Sequence, residues 1–470
     1  MKPYYITTTT PYVNAEPHIG FALEIVQADA MARFKKLLGY EVVFNTGTDE
    51  HGKKILEKAN EEKKDPQAYT DEYAAKFERL KTSLNLAYTN FIRTTDPKHK
   101  AASQEFWKRC QQNGDIYKKN YRLKYCVGCE LEKTDSELAD GRCPLHPKKD
   151  IEIISEENYF FRFSRYQQAL LEFYTDHPDF VVPRFRLEEI KTFVKGGLKD
   201  FSVSRLKSKM SWGVDVPGDK EQVMYVWFDA LINYISTLGW PENETKFKKF
   251  WPGVQVAGKD NLRQQSAMWQ AMLMSARLPP SRQIFIHGFI TVEGQKMSKS
   301  LGNVISPLSL VKQYGTDAVR YYLLKEIPAD EDGDFSQARM KELYNADLAN
   351  ELGNLLVRLT TLAEKDRLDI NPLFENKIDQ ELTLAIDGYR FNEALGLIWQ
   401  KIKILNKKTN AAAPWNKSPK ERRKYLVDSL TEIGEIGTSL EPFLPDAAAK
   451  IHQAIAGKIK KMSPLFPRLT

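Results

Sequence analysis

The sequence predicts an α/β fold built on a parallel sheet, interrupted by an insertion and followed by an α-helical C-terminal part. Three observations carry this. Residues 4–52 run strand, helix, strand; residues 114–220 change texture and hold three of the four Cys; and from about Ala338 the pattern is helical.

Residues 4–9 are β-branched and aromatic, the composition of a strand. A Pro/Asn/Gly segment from Pro11 to Gly20 follows. An amphipathic helix then places Leu23, Val26, Ala30, Phe34 and Leu37 on one stripe and ends at Gly39. A second strand over 42–45 leads into Gly47-Thr48-Asp49-Glu50-His51-Gly52. Strand, helix and strand at this spacing form a βαβ unit, whose two strands must be parallel. Strand and helix texture resumes near Val223 and again over 284–292. In the C-terminal part Leu348, Leu352, Leu355, Leu359 and Leu362 repeat at 4-3-4-3 spacing, one buried helix face. Asn350, Asn354 and Arg358 lie four apart on a neighbouring face. Spacing alone leaves that face as either solvated surface or a binding face. No internal repeat or low-complexity tract is evident.

A chain of 470 residues suits two or three domains. Its 42% hydrophobic content supplies a sizeable core, which excludes a disordered polypeptide. Residues 1–13 lack the apolar stretch of a signal peptide, and no window approaches an unbroken apolar span of about 18 residues. The expectations are no membrane partner and a cytoplasmic location. Four Cys are too few for a disulfide scaffold. The net charge is +7, yet residues 401–470 carry 14 Lys and Arg against 6 Asp and Glu, so the rest is near neutral. A basic end on a neutral body fits contact with a polyanion. It equally fits a Lys-rich solvated surface, and charge alone does not decide.

Two short-spaced pairs, Cys126-Val127-Gly128-Cys129 and Cys143-Pro144-Leu145-His146, match a tetrahedral structural zinc site of three thiolates and one imidazole. Four protein donors leave no open position. A redox motif and incidental thiols are the alternatives, although no thioredoxin-like βαβ pattern surrounds the first pair. Cys110 stands apart and reads as a buried structural thiol.

Two distant segments suit phosphate. His18-Ile19-Gly20-Phe21 opens the first helix, where backbone N–H groups and the positive helix end attract anions and Gly20 permits close approach. Alone, a His at that place is as readily a helix cap. Lys296-Met297-Ser298-Lys299-Ser300, with Gly302, forms a cationic, hydroxyl-bearing loop suited to polyphosphate. Alone, it is as readily a solvated surface.

Together these residues resemble the class I aminoacyl-tRNA synthetases, whose signatures are a His-Ile-Gly-His element and a Lys-Met-Ser-Lys-Ser loop. Pro11-Tyr12-Val13-Asn14-Ala15-Glu16-Pro17-His18, residues 46–52, Tyr225-Val226-Trp227-Phe228-Asp229-Ala230 and the Cys/His knuckle narrow the resemblance to the methionyl-tRNA synthetase family, over essentially the whole chain. That resemblance implies a Rossmann-type catalytic domain in two halves, 1–114 and 221–295, split by a zinc-binding connective insertion, 115–220. A loop and stem-contact region, 296–337, and a helical anticodon-binding domain, 338–470, follow. It implies ATP-dependent activation of methionine and its transfer to methionine tRNA, initiator tRNA included, with one structural Zn2+ and with Mg2+ accompanying ATP. By position, His18, Gly20, Phe21, Glu24, Gly258, Asp260 and Ile290 belong to the ATP site, with Lys296 and Lys299 on the loop; His18, Lys296 and Lys299 are the catalytic candidates. Thr10, Tyr12, Asp49, Trp227, Ala230, Tyr234, Asn261 and Gln265 form the methionine site, Asp49 holding the ammonium. Without the resemblance, Trp227 and Tyr234 would read as core. Asn350, Asn354, Arg358 and Trp415 are the anticodon readers. Three positions depart from the family: Phe21 replaces the second signature His, Gln265 a pocket His and Leu231 a pocket Pro. The isoleucine, valine and leucine enzymes need an editing insertion that this length cannot hold, and the cysteine enzyme places its zinc at the substrate. A non-catalytic tRNA-binding relative is favoured only by Phe21 and opposed by Asp49 and the lysine loop. The chain ends soon after its helical part, so a monomer is expected.

Overall fold

The computed structural model describes residues 1–297, 302–370 and 378–469. Its centre is a six-stranded, wholly parallel sheet: β1 (Pro3–Thr8), β2 (Glu41–Thr48), β3 (Asn90–Arg93), β4 (Val181–Val182), β5 (Val254–Gly258) and β6 (Gln283–His287), in the order β3-β2-β1-β5-β6-β4. The helix α1 (Ile19–Leu37) connects β1 to β2. Side chains alternate between two cores, as the pleat requires. Tyr4, Ile6, Val254, Val256 and Phe285 join α1 in one; Tyr5, Ala257, Ile284 and Ile286 join Phe106 and Trp107 of the helix Pro97–Gln112 in the other. Both sheet faces are covered, which is why these strands are apolar throughout.

The first strand and helix fall where the pattern puts them, and Gly39 ends α1 at φ +82°. The second strand runs longer than the pattern suggests, to Thr48, because it is hydrogen-bonded between two neighbours. The segment 115–220 is not one separate body. Antiparallel strands Ile116–Cys126, Leu131–Lys133, Glu152–Phe161 and Phe201–Ser202 make a sheet of their own, whereas β4 returns to the edge of the central sheet beside β6. A two-residue strand carries no periodicity, so its pairing is invisible in the sequence.

After β6, the strand Ile290–Val292 turns through Glu293 and Gly294, both at positive φ, into Gln295–Lys296 and pairs in parallel with Gly333–Phe335. The rest is helical apart from one short antiparallel pair, Asp369–Ile370 with Gly457–Lys458. Residues Gln337–Leu343, Tyr344–Gly353 and Asn354–Lys365 form a continuous helical run whose middle part has the wider π winding. Leu348, Leu352, Leu355 and Leu359 are fully buried, while Leu362 is only half-buried. Helices Gln380–Asp387, Phe391–Ala412, Pro419–Leu440 and Pro445–Ala454 complete the bundle.

The bundle shares its core with α1, and one side chain pins the two together. Arg320, on the helix Thr316–Lys325, is fully buried. Its guanidinium pairs with Asp29 of α1 at 2.8 Å and donates to the carbonyls of Leu84 (3.1 Å), Pro442 (3.0 Å) and Phe443 (2.8 Å). Asp29 also accepts from Arg33 and from the Ala87 N–H. Breaking a buried pair from one side strands the other charge. Arg320→Met should therefore cost about 3 kcal/mol, the low end for such a loss because Arg33 remains. Adding Asp29→Leu should restore part of it. Urea unfolding of the single and double variants measures both.

Candidate active site

The order of the central sheet reverses at β1, whose connections leave toward β2 on one side while β5 lies on the other. Chains diverge beyond such a point, and a crevice opens at the carboxyl ends of the strands. A cavity of about 300 Å³ lies there. Thr10 and Tyr12 line it after β1, Asp49 after β2 and Asn261 after β5; Trp227, Ala230 and Tyr234 come from the segment 226–236, and Gln265 from the helical turn beyond Asn261. All eight residues assigned to the methionine site by resemblance thus meet at one cavity, and Leu231 joins them.

Asp49 is held by backbone: its N–H donates to the Pro11 carbonyl at 3.0 Å and its carbonyl accepts from Val13 at 3.2 Å. Its carboxylate is buried, and Oδ1 has no hydrogen-bond partner. Burial, with Asp229 and Glu130 nearby, pushes the carboxyl well above its ordinary range. An anion so placed is poised for a cation. Asp229, beneath it, is different. Burial would raise it, but His51 Nδ1 at 2.6 Å and His99 Nε2 at 2.9 Å outweigh burial and hold its carboxyl below the usual range. Glu50 is likewise committed, to the Arg93 guanidinium at 2.7 and 2.9 Å and to Thr48 at 2.6 Å. In the stretch 47–52, only Asp49 therefore presents an unpartnered carboxylate oxygen to the cavity.

Gln265 is buried and fixed at both ends: its Nε2 donates to the Tyr234 hydroxyl at 2.5 Å and its Oε1 accepts from Gln255 at 3.0 Å. The Tyr5 hydroxyl in turn donates to the Tyr234 carbonyl at 2.8 Å. Gln265 thus both lines the cavity and orients a wall residue.

At the entrance to α1, His18 is exposed and caps the helix, its Nδ1 accepting the Gly20 N–H at 3.1 Å. A Cβ on Gly20 would stand 3.0 Å from the His18 ring, so the glycine leaves room for the capping imidazole; Met297 Cε would lie at an ordinary 3.7 Å. Phe21 points away from this surface: it is buried, edge-on to Phe77 at 5.5 Å. Glu24 accepts from the Thr9 N–H (2.7 Å) and hydroxyl (2.5 Å) and meets His287 Nε2 at 3.0 Å. Burial alone would lower His287, but the hydrogen bond and charge of Glu24 reverse it and raise the imidazole above its usual value. With His287 Nδ1 against the Gly288 carbonyl at 2.7 Å, both ring nitrogens face acceptors, as an imidazolium requires. Glu24 therefore ties α1 to the ends of β1 and β6. Gly258 ends β5, Asp260 lies exposed at the cavity mouth, and Ile290 is buried at the start of its strand. Lys296 is exposed on its hairpin; Ser298, Lys299 and Ser300 lie outside the described residues.

Cys126, Cys129, Cys143 and His146 bring their donor atoms within 4.8 Å of one another. The separations are 3.5 Å for Cys129–Cys143, 3.8 Å for Cys126–His146 and 3.3 Å for Cys129–His146. Donors at the corners of a tetrahedron around zinc lie about 3.6–3.8 Å apart, so the four residues fit one ion. Gly128 is a steric requirement, because a Cβ there would penetrate the His146 ring. Cys110 is a buried thiol, pushed by burial up to about 12. The knuckle touches the cavity: Cys129 and Glu130 line it, together with Lys54, whose ammonium donates to the Gly128 carbonyl. Neither Glu130 nor Lys54 was singled out by the sequence. Glu130 directly follows a metal ligand, and that adjacency was its only local signal.

In the bundle, Trp415 is 45% exposed, Asn354 is exposed, and Asn350 and Arg358 are half-buried. Arg358 lies over the Trp415 ring at 5.4 Å and donates to Asn410 at 2.7 Å. A cation stacked on an exposed indole, beside amides, is a surface suited to an unpaired base.

The family model for class I tRNA synthetases (M) matches residues 4–151 and 134–360. A methionine–tRNA ligase of Thermotoga maritima is 43% identical, the match covering 96% of this chain and 75% of the relative. One from a Nostoc species is also 43% identical, covering 97% and 90%. Among solved structures, Mycobacterium tuberculosis methionyl-tRNA synthetase in complex with methionyl-adenylate superposes with a TM-score of 0.92 at 35% identity, over the whole of both chains. The free-state form of that enzyme gives 0.85 at 32% identity, over 100% of this chain and 99% of that one. The backbone here is thus closer to the adenylate-bound form.

The knuckle geometry makes one demand that can be checked directly. Gly128→Ala should displace the His146 ring and abolish stoichiometric metal binding, while Leu145→Ala, at an exposed position of the second pair, should leave it intact. Elemental analysis of the purified variants reads the difference.

Proposed function

This chain belongs to the methionyl-tRNA synthetases of class I, and from that membership we propose how its own residues divide the two steps of the methionine–tRNA ligase reaction. In the first step the methionine carboxylate attacks the α-phosphate of ATP, and pyrophosphate leaves. In the second, a ribose hydroxyl at the tRNA 3′ end attacks the carbonyl of the adenylate, and AMP leaves. The observation that carries the assignment is the buried, unpartnered Asp49 oxygen in an aromatic-walled cavity beyond the carboxyl ends of β1, β2 and β5.

Asp49 receives the substrate ammonium, which orients the carboxylate toward the nucleotide. Tyr12, Trp227, Ala230 and Tyr234 enclose the thioether, a group recognised by shape and sulfur–aromatic contact rather than by strong hydrogen bonds. Gln265 adjusts this wall through Tyr234. His18 and the N–H groups opening α1 meet the phosphates, and Gly258, Asp260 and Ile290 border the adenosine. Phe21, turned into the core, supplies bulk and no donor. Lys296 and Lys299 offset the charge that builds on departing pyrophosphate. Mg2+ comes with ATP as its counter-ion, and no residue of this chain is assigned to it. Zinc is the metal of the knuckle; when bound it links Cys126, Cys129, Cys143 and His146 and stabilises the insertion. Asn350, Asn354, Arg358 and Trp415 form the anticodon face.

Methionine-dependent exchange of pyrophosphate into ATP tests the reading, and its absence would overturn it. A cation aimed at charge present only in the transition state acts on rate, not on ground-state binding. Lys299→Ala should slow adenylate formation by about 10²–10³-fold, with methionine affinity nearly unchanged. Rapid-quench measurement of the first turnover separates the two effects.

Trp415→Ala should lower charging of methionine tRNA by about 10- to 100-fold, the worth of stacking on one base. Because nearly half of Trp415 is exposed, the melting temperature and tRNA-free exchange should hold. Equal loss of all three would make Trp415 a packing residue instead.

A further inference from the structure

Glu130 has no part in the roles assigned above, yet its side chain is 4% exposed and lines the cavity. Its backbone sits at φ +50°, the left-handed region that a residue with a Cβ adopts at a cost. That turn carries the chain inward from Cys129. Three elements then hold the residue. The Tyr12 hydroxyl donates to both carboxylate oxygens at 3.1 Å, the Lys54 N–H at the start of helix Lys53–Glu61 donates to one of them at 2.8 Å, and the Tyr225 hydroxyl donates to the Glu130 carbonyl. Gly52 leaves the room: a Cβ there would run into the Tyr12 hydroxyl and stand 3.1 Å from a Glu130 oxygen.

An ionised carboxylate offers about four acceptor sites. One shared hydroxyl hydrogen and one N–H occupy about half of them. Asp49, with an unpartnered oxygen, belongs to the same buried floor, and Lys54, whose ammonium is turned to the Gly128 carbonyl, is the lysine that lines it. Among the described lining residues, Asp49, Glu130 and, at the mouth, Asp260 outnumber the one lysine, Lys54. An amino acid's ammonium placed there would meet more carboxyls than fixed cations and would hold the two buried ones ionised.

We propose that Glu130 is a second carboxylate of the amino-group site, acting with Asp49, so that the residue following a metal ligand takes part in binding methionine. The proposal rests on the methionine-pocket reading above. It separates two roles for Glu130. A residue that only orients Tyr12 would matter equally to every ligand of the pocket. A residue that supplies charge would matter to ligands bearing an ammonium.

The experiment uses the metal-loaded full chain and two ligands, methionine and its amine-free analogue 4-(methylthio)butanoate, the second read as an inhibitor of pyrophosphate exchange. Glu130→Gln keeps shape and removes charge. It should raise the KM for methionine by about 10-fold or more, the range for one charge-assisted contact, and leave inhibition by the analogue within about twofold. Metal content by elemental analysis should remain one per chain. Equal weakening of both ligands, or no change in either, would overturn the proposal. Should Glu130→Gln fail to fold, Glu130→Asp retains the charge at a shorter reach, and its loss should fall on methionine alone; equal loss on both ligands would again overturn it. Asp49→Asn in the same assay isolates the premise. Unchanged methionine affinity there means that the pocket reading itself fails, whereas a loss there with none in Glu130→Gln removes Glu130 only.

Discussion

A single guanidinium, that of Arg320, joins the parts of this molecule that chemistry needs in register. It reaches α1 through Asp29, the turn after the helix Pro66–Ser83 through Leu84, and the corner of the helical bundle through Pro442 and Phe443. An arginine with its head fully buried is expensive to desolvate. It persists because each acceptor lies along one of the directions that a planar fork can serve. Asp317, one turn earlier on the same helix, accepts the Ala447 N–H at 2.6 Å and so holds the start of Pro445–Ala454 against it. The helix that presents Gly20 at one end is thus anchored, further along, to the bundle that carries Trp415.

The same economy of buried polar groups shapes the cavity. Asp229, Glu24 and Glu50 are all buried acids, and each is matched by a His or Arg within hydrogen-bond distance. Two lining acids differ: Glu130 meets only the Tyr12 hydroxyl and the Lys54 N–H, and Asp49 has an oxygen left open to the cavity. Low dielectric makes the satisfied groups rigid and the unsatisfied one reactive toward a cation. The contrast between neighbouring acids, more than their number, marks where a charged substrate would sit.

Phe21 shows how a departure at a signature position is absorbed. Residues 18, 20 and 21 share the first turn of α1, but side chains there point in different directions. His18 and Gly20 face the loop that bears Met297, whereas Phe21 packs on Phe77 in the core. An aromatic ring at position 21 therefore fills space that a smaller residue would leave as a void.

The sequence by itself determined what depends on spacing along the chain. Two residues between Cys126 and Cys129, and two between Cys143 and His146, let each pair curl around one ion, because bond lengths and angles govern so short a span. The 3.6-residue period likewise placed Leu348, Leu352, Leu355 and Leu359 on one buried face. Tertiary structure alone decided what depends on neighbours distant in the chain. Val181–Val182 is a strand only because β6 offers it an edge. Arg320 looks like any helical arginine until Asp29 and Phe443 surround it. Glu130 is one acid among 62 Asp and Glu until folding buries it and brings it to the cavity that Asp49 also lines. Burial and through-space pairing set the charge and direction of a side chain, and neither is written in the residues beside it.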